Sequence, residues 1–130
     1  MVDGARLMPA SQKVWLCASS DLVEGADAVS FDVTFEDQSM RAFAIRFDGQ
    51  AHAYLNRCSH VFMEMDYQPN RFFDISGRWL ICATHGALYD PVTGDCCGGP
   101  CRGGLIKIAL SEEGDEVHWH TALHINSPKS

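Results

Sequence analysis

Apolar and polar residues alternate along the middle of the chain. Phe31, Val33 and Phe35 are separated by Asp32 and Thr34, the period of two that marks a strand with one buried face. Phe43, Ile45 and Phe47 repeat that pattern within Arg41–Phe47, and Ala51–Asn56 supplies a further run. Asp48-Gly49 stands between these two segments, and Asp-Gly in that position predicts a β-hairpin. Val14–Cys17 predicts a short strand, and polar, Gly-containing Ala18–Ser30 a loop. Toward the C-terminus, Leu105, Ile106, Ile108 and Leu110 predict a strand, Ser111–Asp115 a turn, and Glu116–Trp119 its hairpin partner.

Between these β segments the pattern changes. Residues 57–104 are loop-like and rich in Gly, Pro, Asp, Cys and His, and only Arg78–Cys82 reads as a strand. Leu55–Met65 admits a short turn of helix, and no longer segment carries a helical apolar stripe. The reading is one all-β domain over residues 1–130, with a loose leader at about 1–12 and a frayed end at Ser127–Ser130. An irregular excursion as long as 57–104 inside a compact domain is usually functional, and it needs something to hold it.

Composition changes this picture little. The chain has 130 residues, enough for one domain with a real core, and 46% of them are hydrophobic. The net charge of −7 argues against nucleic acid and anionic membrane surfaces as partners, because Lys and Arg lead phosphate binding. It fits docking onto a basic protein. The longest apolar runs, Val14–Ala18 and Trp79–Ala83, fall far short of the ~20 residues of a spanning helix, and no signal-peptide core is visible near the start. A soluble, cytoplasmic protein is expected, in a reducing compartment. There the six cysteines read as ligands or thiols rather than disulfides.

Two of these cysteines stand beside histidines in the excursion. Cys58-Ser59-His60 follows Ala51–Asn56, and Cys82-Ala83-Thr84-His85 closes on Arg78–Cys82. Each pair places a thiolate and an imidazole just beyond a strand, so two hairpin-like loops can meet at one end of a sheet. Two Cys and two His can hold a tetrahedral zinc ion. They can equally hold a [2Fe–2S] cluster in which two His replace two Cys on one iron. The pairs alone leave both open.

The residues downstream favour the second. His85-Gly86-Ala87-Leu88-Tyr89-Asp90-Pro91-Val92-Thr93-Gly94 is followed by Gly98-Gly99-Pro100. From about Ala51 to Leu110 the chain resembles the Rieske family, in which Cys-x-His and Cys-x-x-His-Gly flank a cluster and a Gly-Pro loop covers it. It looks most like the soluble Rieske ferredoxins and the related small domains of nitrite reductases and oxygenases. The resemblance implies an antiparallel β-sandwich with a two-loop cluster-binding subdomain at one end. It implies one [2Fe–2S] cluster, with Cys58 and Cys82 on the inner iron and His60 and His85 on the outer one, facing solvent. Gly86 would let the backbone pass close to the ligands, and Pro100 would lie in the covering loop. Tyr89 matches a family tyrosine whose hydroxyl reaches a cysteine sulfur. Ala87 stands where high-potential respiratory relatives carry a serine, and the ligand loops lack the extra cysteine pair of those relatives. With the acidic net charge, these departures place the potential near the low end of the roughly −150 to +300 mV Rieske range.

The function so implied is that of a ferredoxin-like electron carrier with no catalytic residues of its own. It would take single electrons from a flavin- or NAD(P)H-dependent reductase and pass them to a terminal oxygenase or similar acceptor. A relay subunit of a nitrite reductase or oxygenase is the alternative, and a zinc-binding interaction module is a rival of another class. A catalytic oxygenase would need a second domain with its own iron site, for which these residues leave no room. Residues 64–71 make the spacer between the ligand pairs longer than is usual in the family and are expected to form a lip beside the cluster. Cys96, Cys97 and Cys101 read as thiols near the covering loop rather than as a second metal site, and the neighbours Cys96 and Cys97 are poorly placed to bridge each other. His118, His120 and His124 read as ordinary histidines, and Trp15, Trp79 and Trp119 as core or rim aromatics.

Overall fold

The computed structural model describes residues 12–58, 64–66, 68–83, 86–101 and 103–128. The expected leader therefore lies outside the described residues apart from Gln12. The middle of the segment Leu55–Met65, where a short helical turn was expected, also falls outside them at residues 59–63, and its described ends are strand and bend. The described residues form strands and loops with no α-helix.

The largest sheet has the order β11(Ile125–Asn126), β2(Val29–Phe35), β3(Gln38–Phe47), β4(Gln50–Leu55), β8(Lys107–Ile108). Its neighbouring strands are all antiparallel. The β3–β4 hairpin turns at Asp48-Gly49 as expected, with both residues in the left-handed region at φ 53° and 78°. The β2–β3 hairpin does the same at Glu36-Asp37, with φ 48° and 67°, although no glycine marks it. Two left-handed residues give the turn the twist that matches the strands on either side.

A second sheet runs β1(Lys13–Ala18), β10(Glu116–His120), β9(Leu110–Glu113). The single C-terminal strand expected from Leu105 to Leu110 is instead broken at Ala109, so β8 joins the large sheet and β9 the second. The turn between β9 and β10 is correspondingly tighter than Ser111–Asp115. A third sheet, β5(Leu80–Ile81), β6(Leu88–Tyr89), β7(Cys96–Gly98), lies within the excursion, where only one strand was expected. Strands of two or three residues are too short to show a period.

The large sheet is buried on both faces. Val33, Ala42, Ala44, Ala53 and Leu55 face a core shared with Leu16, Val117 and Trp119 of the second sheet. Phe43, Ile45 and Tyr54, the alternate residues of β3 and β4, face a different core built from the excursion. The period of two thus sorts side chains between two cores rather than between core and water. The second core places the site.

Candidate functional site

The chain leaves β4 at Leu55 with its backbone still held. Leu55 donates its amide to Ile106 and Asn56 to Arg41, each at 2.9 Å. Two residues on, Cys58 is fully buried in the second core. Cys82, at the end of β5, is fully buried in the same core, with Phe72, Leu80, Ala87 and Tyr89. The two cysteines of the expected quartet therefore share one apolar cluster. His60 and His85 lie outside the described residues.

The second loop is closed by reciprocal backbone bonds. Gly86 donates to the Cys82 carbonyl at 2.8 Å, and Cys82 to the Ala87 carbonyl at 2.9 Å. Gly86 has φ +75°, and no protein atom lies within 4 Å of a Cβ built on it. That left-handed conformation by itself favours glycine. A close backbone approach is seen at Gly99. A Cβ there would stand 2.6 Å from the Gly86 carbonyl oxygen and 2.9 Å from Ala87 Cα. The Gly98-Gly99-Pro100 turn therefore lies directly on the second loop, with Pro100 exposed. Tyr89 is fully buried and its hydroxyl lies 3.5 Å from Cys58 Sγ, which links the second loop to the first.

The long spacer also joins the two loops. Buried Asn56 accepts the Met65 amide on Oδ1 at 2.7 Å and donates from Nδ2 to Asp66 Oδ1 at 2.8 Å. Asp66 Oδ2 accepts the Asn70 amide at 2.9 Å. The Met65 carbonyl in turn accepts the amide of Ala83, next to Cys82, at 2.9 Å. Asn56 thus ties the exit of β4 to the exit of β5 through one buried residue. Reasoning along the chain cannot find such a brace, because its partners are far apart in sequence.

Tyr54 and Gly94 were also missed. The Tyr54 hydroxyl donates to the Pro91 carbonyl at 2.7 Å, and burial, reinforced by Asp90 and Asp95, raises its pKa and keeps it a donor. Gly94, at φ +81°, lies against the Tyr54 ring, where a Cβ would meet Cε1 at 2.7 Å. The turn after the second loop is thereby docked on β4.

Cys96 and Cys101 form a disulfide. This corrects the expectation of thiols there. Cys97 between them is exposed, and its thiol is not in a disulfide. Cys17 belongs to the other core, where burial, with Asp21 and Glu112 adding to it, pushes its thiol up to about 11. Because the thiolate is the nucleophile, a maleimide at neutral pH should label Cys97 in the folded protein and leave Cys17 untouched. Peptide mapping that finds Cys17 labelled before unfolding would contradict this placement.

His118 and His120 flank buried Trp119 on β10. His120 Nε2 lies 2.8 Å from Ser111 Oγ, and His118 Nε2 3.9 Å from a Glu116 carboxylate oxygen. Among the described residues no three His, Cys, Asp or Glu side chains stand close enough together to hold a metal ion. Trp119 is core, Trp79 half-buried and Trp15 exposed. No helix among the described residues is long and apolar enough to cross a membrane.

The model of the Rieske [2Fe-2S] domain family matches residues 12–109. No curated protein matches the sequence. Among solved structures, the chain is similar to the ferredoxin of carbazole 1,9a-dioxygenase from Nocardioides aromaticivorans IC177. The TM-score is 0.66 at 21% identity, over 91% of this chain and 99% of that one. The Sphingomonas yanoikuyae B1 ferredoxin gives 0.60 at 20% identity, over 90% and 100%. The terminal oxygenase of carbazole 1,9a-dioxygenase from the same Nocardioides gives 0.62 at 16% identity, over 83% of this chain and 29% of that one. At these identities the likeness is one of fold.

Proposed function

The chain belongs to the Rieske [2Fe-2S] domain family, and from that premise we propose that it is a ferredoxin-type one-electron carrier, not itself an enzyme. It would receive electrons from a flavin- or NAD(P)H-dependent reductase and pass them to a terminal oxygenase or a similar acceptor. The observation that carries the reading is the burial of Cys58 and Cys82 in one core, with the Tyr89 hydroxyl at the Cys58 sulfur. Two buried sulfur donors, joined by a closing turn and a brace, are the donor set that such a cluster needs on one iron. The family and the motif supply the histidines: Cys58, His60, Cys82 and His85 would hold the cluster. When bound, the cluster takes up and releases one electron.

The remaining work falls to the protein. Cys58 and Cys82 exclude water from the inner half of the site by their burial. Tyr89 presents a hydroxyl to one of these sulfurs, while fully buried Ala87 offers none. Gly99 seals the second loop from outside. The near full-length match to two ferredoxins supports a carrier, and the structure of a complex of reduced oxygenase and oxidized ferredoxin in carbazole 1,9a-dioxygenase, to which the chain is also similar, supports an oxygenase as acceptor. A cytoplasmic location and a single domain over residues 1–130 complete the reading.

Purified protein should be brown and contain about two irons and two sulfides per chain. Reduction should give the low-average-g EPR signal of mixed Cys/His ligation, and voltammetry a potential near the low end of the Rieske range. Stoichiometric zinc without sulfide would defeat the reading. His60→Ala and His85→Ala should each lose the native spectrum, and its survival in either would remove that residue from the ligand set.

A further inference from the structure

We propose that the Cys96–Cys101 disulfide is a thiol–disulfide exchange site for a dithiol reductant, and that its redox state sets how closely the covering turn sits on the second loop. The effect on a cluster rests on the function proposed above; the exchange site itself does not.

The bridge joins residues five apart in sequence. In the chain-entropy picture a disulfide stabilises more as its loop lengthens, so a ring this short adds less to global stability than a long one. Its most direct effect is local. The ring contains Gly98 and Gly99, and Gly99 is the residue packed on the backbone of Gly86 and Ala87. Among the described residues the backbone pairing of the ring is the short strand β7, where Gly98 pairs with Leu88 and Cys96 with Tyr89 across a shift in register, and Cys96 and Cys101 pack against the second core. A three-residue, irregular pairing opens at low cost, so the bridge is a main restraint on the turn.

The ring is also reachable. Cys97, Gly99 and Pro100 are exposed, and Cys96 and Cys101 are half-buried. Exposed disulfides are characteristically the labile and regulatory ones. In the reducing compartment proposed above, a persisting disulfide is characteristically a redox-sensing or catalytic one.

The step is a two-electron exchange. One thiolate of the dithiol attacks a bridge sulfur, breaking the Cys96–Cys101 bond and forming a mixed disulfide. The second thiolate attacks the reductant's own sulfur in that mixed disulfide, closing the reductant into a cyclic disulfide. Cys96 and Cys101 leave as thiols carrying the two protons of the dithiol. The protein is reduced and the dithiol oxidised. Without the bridge, Gly99 is free to lift from Gly86 and Ala87, and water reaches the backbone beyond Cys82. Water there favours the more negative, reduced form of a cluster and speeds its loss.

The test uses the air-oxidised holoprotein, titrated anaerobically with dithiothreitol. Alkylation after unfolding should show two more modified cysteines in the reduced sample, mapped to Cys96 and Cys101. Hydrogen exchange should accelerate across Gly86–Leu88 and β7 while staying unchanged in β2–β4. The cluster potential should rise, and bleaching by an iron chelator should quicken by about tenfold, the lower end of what supporting residues around a metal site control. Cys101→Ser should behave as the reduced form with or without dithiothreitol. An unchanged alkylation count overturns the exchange site. Two new thiols with unaltered exchange and bleaching overturn the coupling. A protein without iron and sulfide would defeat the proposed function, while the thiol count and hydrogen exchange would still decide the exchange site.

Discussion

Gly99→Ala should lower stability by about 2–5 kcal/mol, while Gly98→Ala, one residue earlier, should be nearly silent. Two separate costs meet at Gly99. Its φ of +76° is a left-handed conformation that costs a residue with a Cβ roughly 1–2 kcal/mol. Its Cβ would also stand 2.6 Å from the Gly86 carbonyl oxygen, and backbone cannot swing aside as a side-chain tip does. Overpacking of that kind costs about 1–3 kcal/mol. Gly98 has neither problem, since its nearest Cβ contact is Leu88 Cδ1 at 3.6 Å, ordinary van der Waals distance. Gly86 lies between the two cases, with φ +75° but no close contact for a Cβ among the described residues, so Gly86→Ala should show mainly the conformational cost. Urea unfolding of the three variants should therefore order them Gly98, Gly86, Gly99 by loss of stability. Equal losses at all three would mean that the covering turn is not seated on the second loop.

That seating was only half legible in the sequence. Gly98-Gly99-Pro100 was expected in a covering loop, but which glycine bears the contact depends on a backbone approach across a dozen residues, and no spacing rule reports it. The β3–β4 hairpin was legible because Asp48-Gly49 carries its own turn chemistry. The β2–β3 hairpin was less so, because Glu36-Asp37 holds the same left-handed conformation without glycine. The alternation of Phe43, Ile45 and Phe47 correctly set one face of β3. The other face escaped notice because it is lined by Ala42 and Ala44, whose small side chains give little hydrophobic signal yet are wholly buried. The Cys58 and Cys82 pairs stood out because their chemistry is local to each loop. The Cys96–Cys101 bridge did not, because a reducing compartment argued against disulfides and sequence alone does not show which sulfurs meet. Asn56 was hidden for a related reason: its role is written in the distance between Met65 and Ala83, not in its neighbours.

The two cores make a second large and separable effect. Trp119→Ala and Phe43→Ala should each destabilise the protein by about 3–5 kcal/mol, the usual range for deleting a buried aromatic side chain. Their consequences for the site should differ. Trp119 is buried between the large sheet and the β1–β10–β9 sheet, with Phe31 at a ring-centroid distance of 5.6 Å. Its removal loosens the sandwich and leaves the Cys58 and Cys82 environment intact. Phe43 projects from the opposite face of the same sheet and stacks on Phe72 at 3.7 Å with an interplanar angle of 9°. The Phe72 carbonyl accepts the Ile81 amide at 2.8 Å, one residue before Cys82. Deleting the Phe43 ring removes the platform under Phe72, and the strand leading into the second loop loses its support. At temperatures well below unfolding, the Trp119→Ala protein should keep the native visible spectrum and native rates of iron release to a chelator. Phe43→Ala should release iron about tenfold faster or more under the same conditions, the range that supporting residues around metal sites command. Equal release rates in the two variants would show that iron retention follows global stability, and that the second core has no separate role in holding the site.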